Sequence, residues 1–209
     1  MSRLEWILGG ILAILLVAIV GVLTIFFFRS ANPDDQETRP IDQYTAQSAY
    51  QIALPIAQQW QADAQLLSAN VSWPRGPQFA VGDGHWGFTF YSPSQQAIVI
   101  ISTIGTQGQL VRTQTINRQL NLASVADWPL DSNSALAKFF EFGGQDFLDD
   151  QGEAALLLTL NTNPTLTWTG QLMDREALRS FQLKFDARTG DIISVQQAPA
   201  SQPQPVTTP

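Results

Sequence analysis

The pattern of apolar and polar positions divides the chain sharply. From Trp6 to Phe28 it is one apolar run, WILGGILAILLVAIVGVLTIFFF, with no charge inside it. A helix needs about twenty such residues to cross the hydrocarbon core of a bilayer. The run is longer than a signal-peptide core. It ends in Phe28-Arg29-Ser30-Ala31, which puts Arg29 where a cleavage site wants a small residue. The pattern predicts an uncleaved transmembrane helix over 6–28, in contact with the bilayer, behind a short cytoplasmic N-terminus at 1–5. Arg3 before the run and Arg29 and Arg39 after it nearly balance. The short N-terminal tail then favours a single-pass cell-membrane protein whose C-terminal domain is extracytoplasmic.

Beyond the run, residues 29–41 are polar, contain Pro33 and Pro40, and read as a linker. Residues 198–209, rich in Pro, Gln and Thr, read as a disordered tail. Between them the pattern repeats. Trp86-Gly-Phe-Thr-Phe-Tyr-Ser parallels Trp168-Thr-Gly-Gln-Leu-Met-Asp, and Ala97 to Val111 parallels Arg179 to Ile193. The offset is constant: 168 − 86 and 190 − 108 both give 82. Two copies of one supersecondary unit are predicted, at 42–120 and 121–197.

Each copy opens with helical spacing. Tyr50, Ala53, Leu54, Ala57 and Trp60 form one stripe, which Pro55 should kink or restart. In the second copy Asp131 or Ser132 can cap a helix carrying Leu136, Phe139 and Phe140, with a stop at Gly143-Gly144. Strands follow. Gln65 to Trp73 and Ala154 to Leu160 are candidate first strands, and Asp83-Gly84 marks a hairpin before Trp86 to Phe90. Arg179 to Phe185 alternates, so one of its faces meets a core and the other meets water. The predicted fold class is α+β: a transmembrane helix, then two tandem helix-plus-antiparallel-sheet units.

Composition narrows the function. Eleven basic and 18 acidic residues give a net charge of −7 over 209 residues. Nucleic-acid binding needs basic stripes, so it is not expected. There is no cysteine, which excludes disulfides, thiolate chemistry and a thioether lipid anchor.

The closing segment Phe185-Asp-Ala-Arg-Thr-Gly190-Asp-Ile-Ile193 resembles the terminal hairpin of PepSY domains: an aromatic strand, Asp-x-x-Thr-Gly, an acid and two aliphatics. The resemblance covers about 131–196. It is weaker over 42–115, where the turn Ile104-Gly-Thr-Gln-Gly108-Gln lacks the Asp. It implies small cystatin-like modules, often membrane-tethered, that bind or restrain peptidases and other envelope proteins and are not enzymes. Asp186, Thr189 and Gly190 match as structural turn positions: Gly190 for a positive φ, Asp186 for a side-chain cap.

Candidate chemistry is sparse. His85 is the sole histidine and sits beside a Gly-rich turn, where a surface role is the plain reading. Asp146, Asp149, Asp150 and Glu153 fail the spacing of a calcium loop and read as a solvated turn, with a weak Ca²⁺ site as the alternative. No catalytic residue, cofactor or metal site is predicted. Trp60, Trp86 and Trp168 read as core. Trp73 and Trp128 either stack on a small ligand or glycan together with His85, or are buried.

The repeat also predicts a surface. If Phe181, Leu183 and Phe185 face a core, so do Val99, Ile101 and Thr103. Ile98 and Ile100 then occupy water-facing positions, with Tyr91 on the same side. Such a face should be covered, by the second unit or by a partner. The expected function is a non-enzymatic interaction module that regulates a peptidase or supports an envelope complex, docking through Tyr91, Ile98 and Ile100. The alternative is a small-ligand or glycan-binding protein.

Overall fold

The computed structural model describes residues 44–73, 85–126, 128–151, 154–174 and 179–198. All belong to the second of two units into which the chain divides, Pro40–Pro209. In chain order they form helix α1 (Ala46–Trp60), strands β1 (Gln65–Trp73), β2 (His85–Ser92), β3 (Ala97–Ile104) and β4 (Gln107–Thr115), then helix α2 (Ser132–Phe139). A π-helical turn (Phe140–Gly144) leads into helix α3 (Gln145–Gln151), and strands β5 (Ala155–Asn161), β6 (Thr167–Asp174), β7 (Arg179–Asp186) and β8 (Ile192–Ala198) complete the series.

The strands make one antiparallel sheet in the order β4-β3-β2-β1-β5-β6-β7-β8. This corrects the expected tandem arrangement. The first strands of the two halves pair with each other, Ala69 opposite Leu160 and Val71 opposite Leu158. The halves therefore share one sheet and one core, whose cluster draws on both. The physical reason lies in β1 and β5 themselves. Each alternates apolar residues and exposes its backbone on the side away from its own hairpin, so each supplies the edge that the other needs.

The single-pass topology is corrected as well. No helix among the described residues is long and apolar enough to cross a membrane. The Trp6–Phe28 run, the linker at 29–41 and the tail beyond Ala198 lie outside the described residues, as does the Asp83-Gly84 turn. The expected cell-membrane placement rested on that run and has no span behind it among the described residues.

The repeat offset is visible in the sheet. Adding 82 to the bounds of β2 gives those of β6, and adding it to those of β3 gives those of β7. The register shows how the core is built. One transverse row runs Leu110, Ile101, Phe88, Ala69, Leu160, Trp168, Phe185, Ile192, one residue per strand. Its six inner members are fully buried, while Leu110 and Ile192 at the two edges stay exposed.

Helices cover this face. α1 packs on β2, β3 and β4, α2 on β6, and the π turn on β7. Gly108 admits α1 closely: a Cβ there would lie 2.7 Å from Ile56 Cδ1. Gly170 does the same for α2, where a Cβ would collide with the Phe139 ring. Pro55 does not restart α1, which runs unbroken through it. Pro55 and Gln51, whose carbonyl loses its helical donor, both lie on the exposed side, so water can take the unmatched acceptor. The second helix does break at the expected glycines: Gly143 has φ +115° inside the π turn.

Candidate functional site

The predicted surface residues separate in the structure. Val99, Ile101 and Thr103 are buried in the helix-covered face, and Ile98 and Ile100 lie half-buried on the open face. Tyr91 is opposite Ile98 on that same open side, yet it is fully buried. Its hydroxyl donates to the Arg118 carbonyl at 3.2 Å. The start of the connection from β4 to α2 thus lies against Tyr91. That connection is pinned at three points. Ile116 N donates to Gln96 O at 2.9 Å, Tyr91 to Arg118, and Ala123 N to Thr162 O at 2.7 Å. Tyr91 is therefore buried by its own chain and presents no surface to a partner.

What remains on the open face of the first half is an apolar strip along β3: Ile98, Ile100 and Ile104, the last 53% exposed. Arg112 of β4 lies opposite Ile100 and Gln114 opposite Ile98. The Arg112 guanidinium donates to the Gln114 amide oxygen at 3.1 Å. Val111, the extra residue of a bulge in β4, is also exposed. At the offset-equivalent positions 180, 182 and 186 of β7 stand Ser, Gln and Asp. On its open side β3 is therefore more apolar than β7, with Ser102 interrupting the strip, while in the second half Leu157 of β5 and Met173 of β6 are the exposed apolar residues of that face.

The remaining predicted positions have structural tasks. Asp186 Oδ1 accepts from the backbone of Arg188 at 2.7 Å and of Thr189 at 3.1 Å. Gly190 has φ +77° and donates to Asp186 O, and Thr189 Oγ1 donates to Asp191 Oδ2. Trp73 and Trp128 are both buried. The Trp128 ring lies 6.0 Å from both Tyr50 and Trp168, so it offers no open face for stacking. His85 is exposed at the start of β2. Asp146 and Asp149 sit on α3, an additional helix where a solvated turn was expected; Asp149 accepts from Gln145 at 2.7 Å. Glu153 lies outside the described residues, and no group of three metal-ligating side chains occurs among the described residues.

Two features escaped sequence reasoning. The N-termini of α1 and α2 meet: Asp131 Oδ1 accepts from Gln47 N at 3.1 Å and Ser132 N at 2.6 Å, and Ser132 Oγ accepts from Ala46 N at 3.0 Å. One carboxylate thus serves two helix ends, where orphan N–H groups and the positive dipole ends converge. Asp63 likewise holds the β2–β3 turn, accepting from Ser92 Oγ at 2.7 Å and Ser94 N at 2.8 Å. The Ser92 hydroxyl, foremost, and the Ser94 amide lower its pKa. An Asp before a turn is an ordinary signal, but only long-range pairing reveals these partners.

No family model matches the chain, and no curated protein matches its sequence. Among solved structures there is a likeness to a Clostridium difficile 630 protein provisionally described as a lipoprotein, at 10% identity over 75% of this chain and 94% of that one, with a TM-score of 0.49.

Proposed function

We propose that this chain acts by binding rather than catalysis, as an accessory module that docks on another protein through the open face of its first half. The observation that supports this is the β3 strip. Ile98, Ile100 and Ile104 lie on the side away from the helices, where the equivalent strand β7 is polar. Aliphatic side chains on an uncovered sheet face keep unfavourable contact with water, at roughly 25 cal/mol per Å² of apolar area. Arg112 supplies a single charge at the strip, which suits a partner with an apolar contact and a carboxylate beside it. A peptidase under restraint or a subunit of an envelope complex fits this reading. The PepSY resemblance of residues 131–196 points the same way.

The test is association against folding. Ile98→Ser with Ile100→Ser in the full-length chain should abolish co-purification of a stoichiometric partner from native cells while the melting curve changes little. Loss of the fold together with the partner would show instead that these side chains serve the core and would end the proposal.

A further inference from the structure

Charge is distributed unevenly between the two halves. Between Tyr44 and Thr115 the charged side chains are Asp63, Arg75, Asp83 and Arg112, four in 72 residues, and they cancel. Over residues 131–198 there are ten acids and five bases in 68 residues. Globular chains carry about a quarter of their residues charged, so the second half is ordinary and the first is not. The outer surface of the first half is polar without charge. Helix α1 has no charged residue, and its exposed side is Gln51, Pro55, Gln58 and Gln59. Strand β4, at the sheet edge that α1 covers, is exposed at every position except Gly108 and carries Arg112 alone. Aliphatic side chains lie exposed on both sides of that edge: Leu110 on the helix side, in the row of Ile101, and Ile104 on the open side, with Val111 at the bulge.

We propose that the docking surface of the first half wraps around the β4 edge, from the β3 strip onto the outer side of α1, and that its occupant is a protein surface without charge apart from a carboxylate for Arg112. This rests on the binding reading of the β3 strip and extends it to the helix side. Charged groups resist being taken out of water, so a surface that lacks them costs less to cover. Lysine, glutamate and aspartate are depleted from interface cores for that reason. Amides and hydroxyls still donate and accept hydrogen bonds, and they need no opposite charge to do so. The class of occupant follows from what the surface holds. A strongly charged partner would find Arg112 and Asp63 as the only counter-charges among the described residues of this half, and Asp63 is already engaged by Ser92 and Ser94. A glycan calls for exposed aromatic rings, whereas the exposed large apolar side chains of this half are Ile104, Leu110 and Val111. A lipid surface calls for lysines and arginines, and it would leave the α1 amides unmatched. The second half, with twice as many acids as bases, is the part that stays in water.

The chain has no cysteine, so single introduced thiols report cover position by position. Gln58→Cys samples the outer side of α1, Gln114→Cys the open face beside the strip, and Asp146→Cys and Gln196→Cys the second half; all four positions are exposed. In the full-length protein, maleimide labelling at 58 and 114 should be several-fold slower in a native cell extract than on the purified chain. Labelling at 146 and 196 should be the same in both. The protection should persist in high salt, which weakens exposed ion pairs and spares neutral contacts. Gln51→Glu with Gln58→Glu should leave the melting curve in place and return labelling at 114 to the rate of the purified chain. Equal rates at 58 in extract and purified chain would overturn the proposal; if 114 alone were protected, the β3 strip reading would stand without it. Equal protection of both halves would also overturn it. So would protection that a mild detergent abolishes, which would assign the face to lipid, or protection that a protein-free polysaccharide fraction of the same cells reproduces, which would assign it to a glycan.

Discussion

At the scale of single residues, polar groups are placed with little redundancy, and each gives a prediction. Asp63 has a folded-state pKa below its ordinary value, because the Ser92 hydroxyl and the Ser94 amide bond its charged form. A depressed folded pKa contributes stability that is fully present above the unfolded carboxylate value of about 3.9. That contribution is lost as pH falls through the folded value. Asp63→Asn should therefore narrow the gap in urea midpoint between neutral and acid pH; an unchanged gap would remove Asp63 from the acid response. Asp131→Ala should cost about 1–2 kcal/mol in urea unfolding, since it uncaps one helix and leaves Gln47 N of the other without its acceptor. Thr103 works in the opposite sense. It is fully buried, and its hydroxyl has no hydrogen-bond partner among the described residues. Thr103→Val should stabilise by about 1 kcal/mol, because it removes a desolvated polar group and keeps the shape.

At the scale of elements, much was legible and the exceptions are instructive. β1 has the expected bounds Gln65–Trp73, and β7 follows the alternation read from Arg179 onward, because half-buried strands write their faces into the sequence. Helix α3 was not legible: Gln145–Gln151 is short, acidic and poor in apolar spacing. Pro55 does not restart α1, since a proline on a solvent-facing turn costs one hydrogen bond that water replaces. Close approach was equally invisible. Gly170 looks like an ordinary strand glycine until Phe139 of α2 is placed on it. Gly170→Ala should destabilise by roughly 1–3 kcal/mol or displace the helix, as overpacking does. A neutral result in thermal unfolding would mean that α2 sits further from β6 than the structure has it.

At the scale of the whole molecule, the sequence showed two copies but not how they combine. The 82-residue offset fixes what each half contains, and nothing in it states that β1 and β5 pair. That pairing is long-range and emerges only when both edges are present. The covering of Tyr91 was hidden for the same reason, since the irregular sequence from Arg118 onward has no helical or strand spacing that announces where it lies. With one core shared by both halves, far-ultraviolet dichroism and tryptophan fluorescence should report a single coincident unfolding transition. The asymmetry between the halves carries the functional reading: the same scaffold has an apolar open face on β3 and a polar one on β7. Hydrogen–deuterium exchange of the full-length chain, alone and in the assembly purified from native cells, tests that reading most directly. The account predicts that the amides of β1 and β5 exchange last and together in both samples, and that 97–115 slows in the assembly while 179–186 is unchanged. Early exchange at the β1–β5 seam, or protection that falls on 179–186 in place of 97–115, would contradict it.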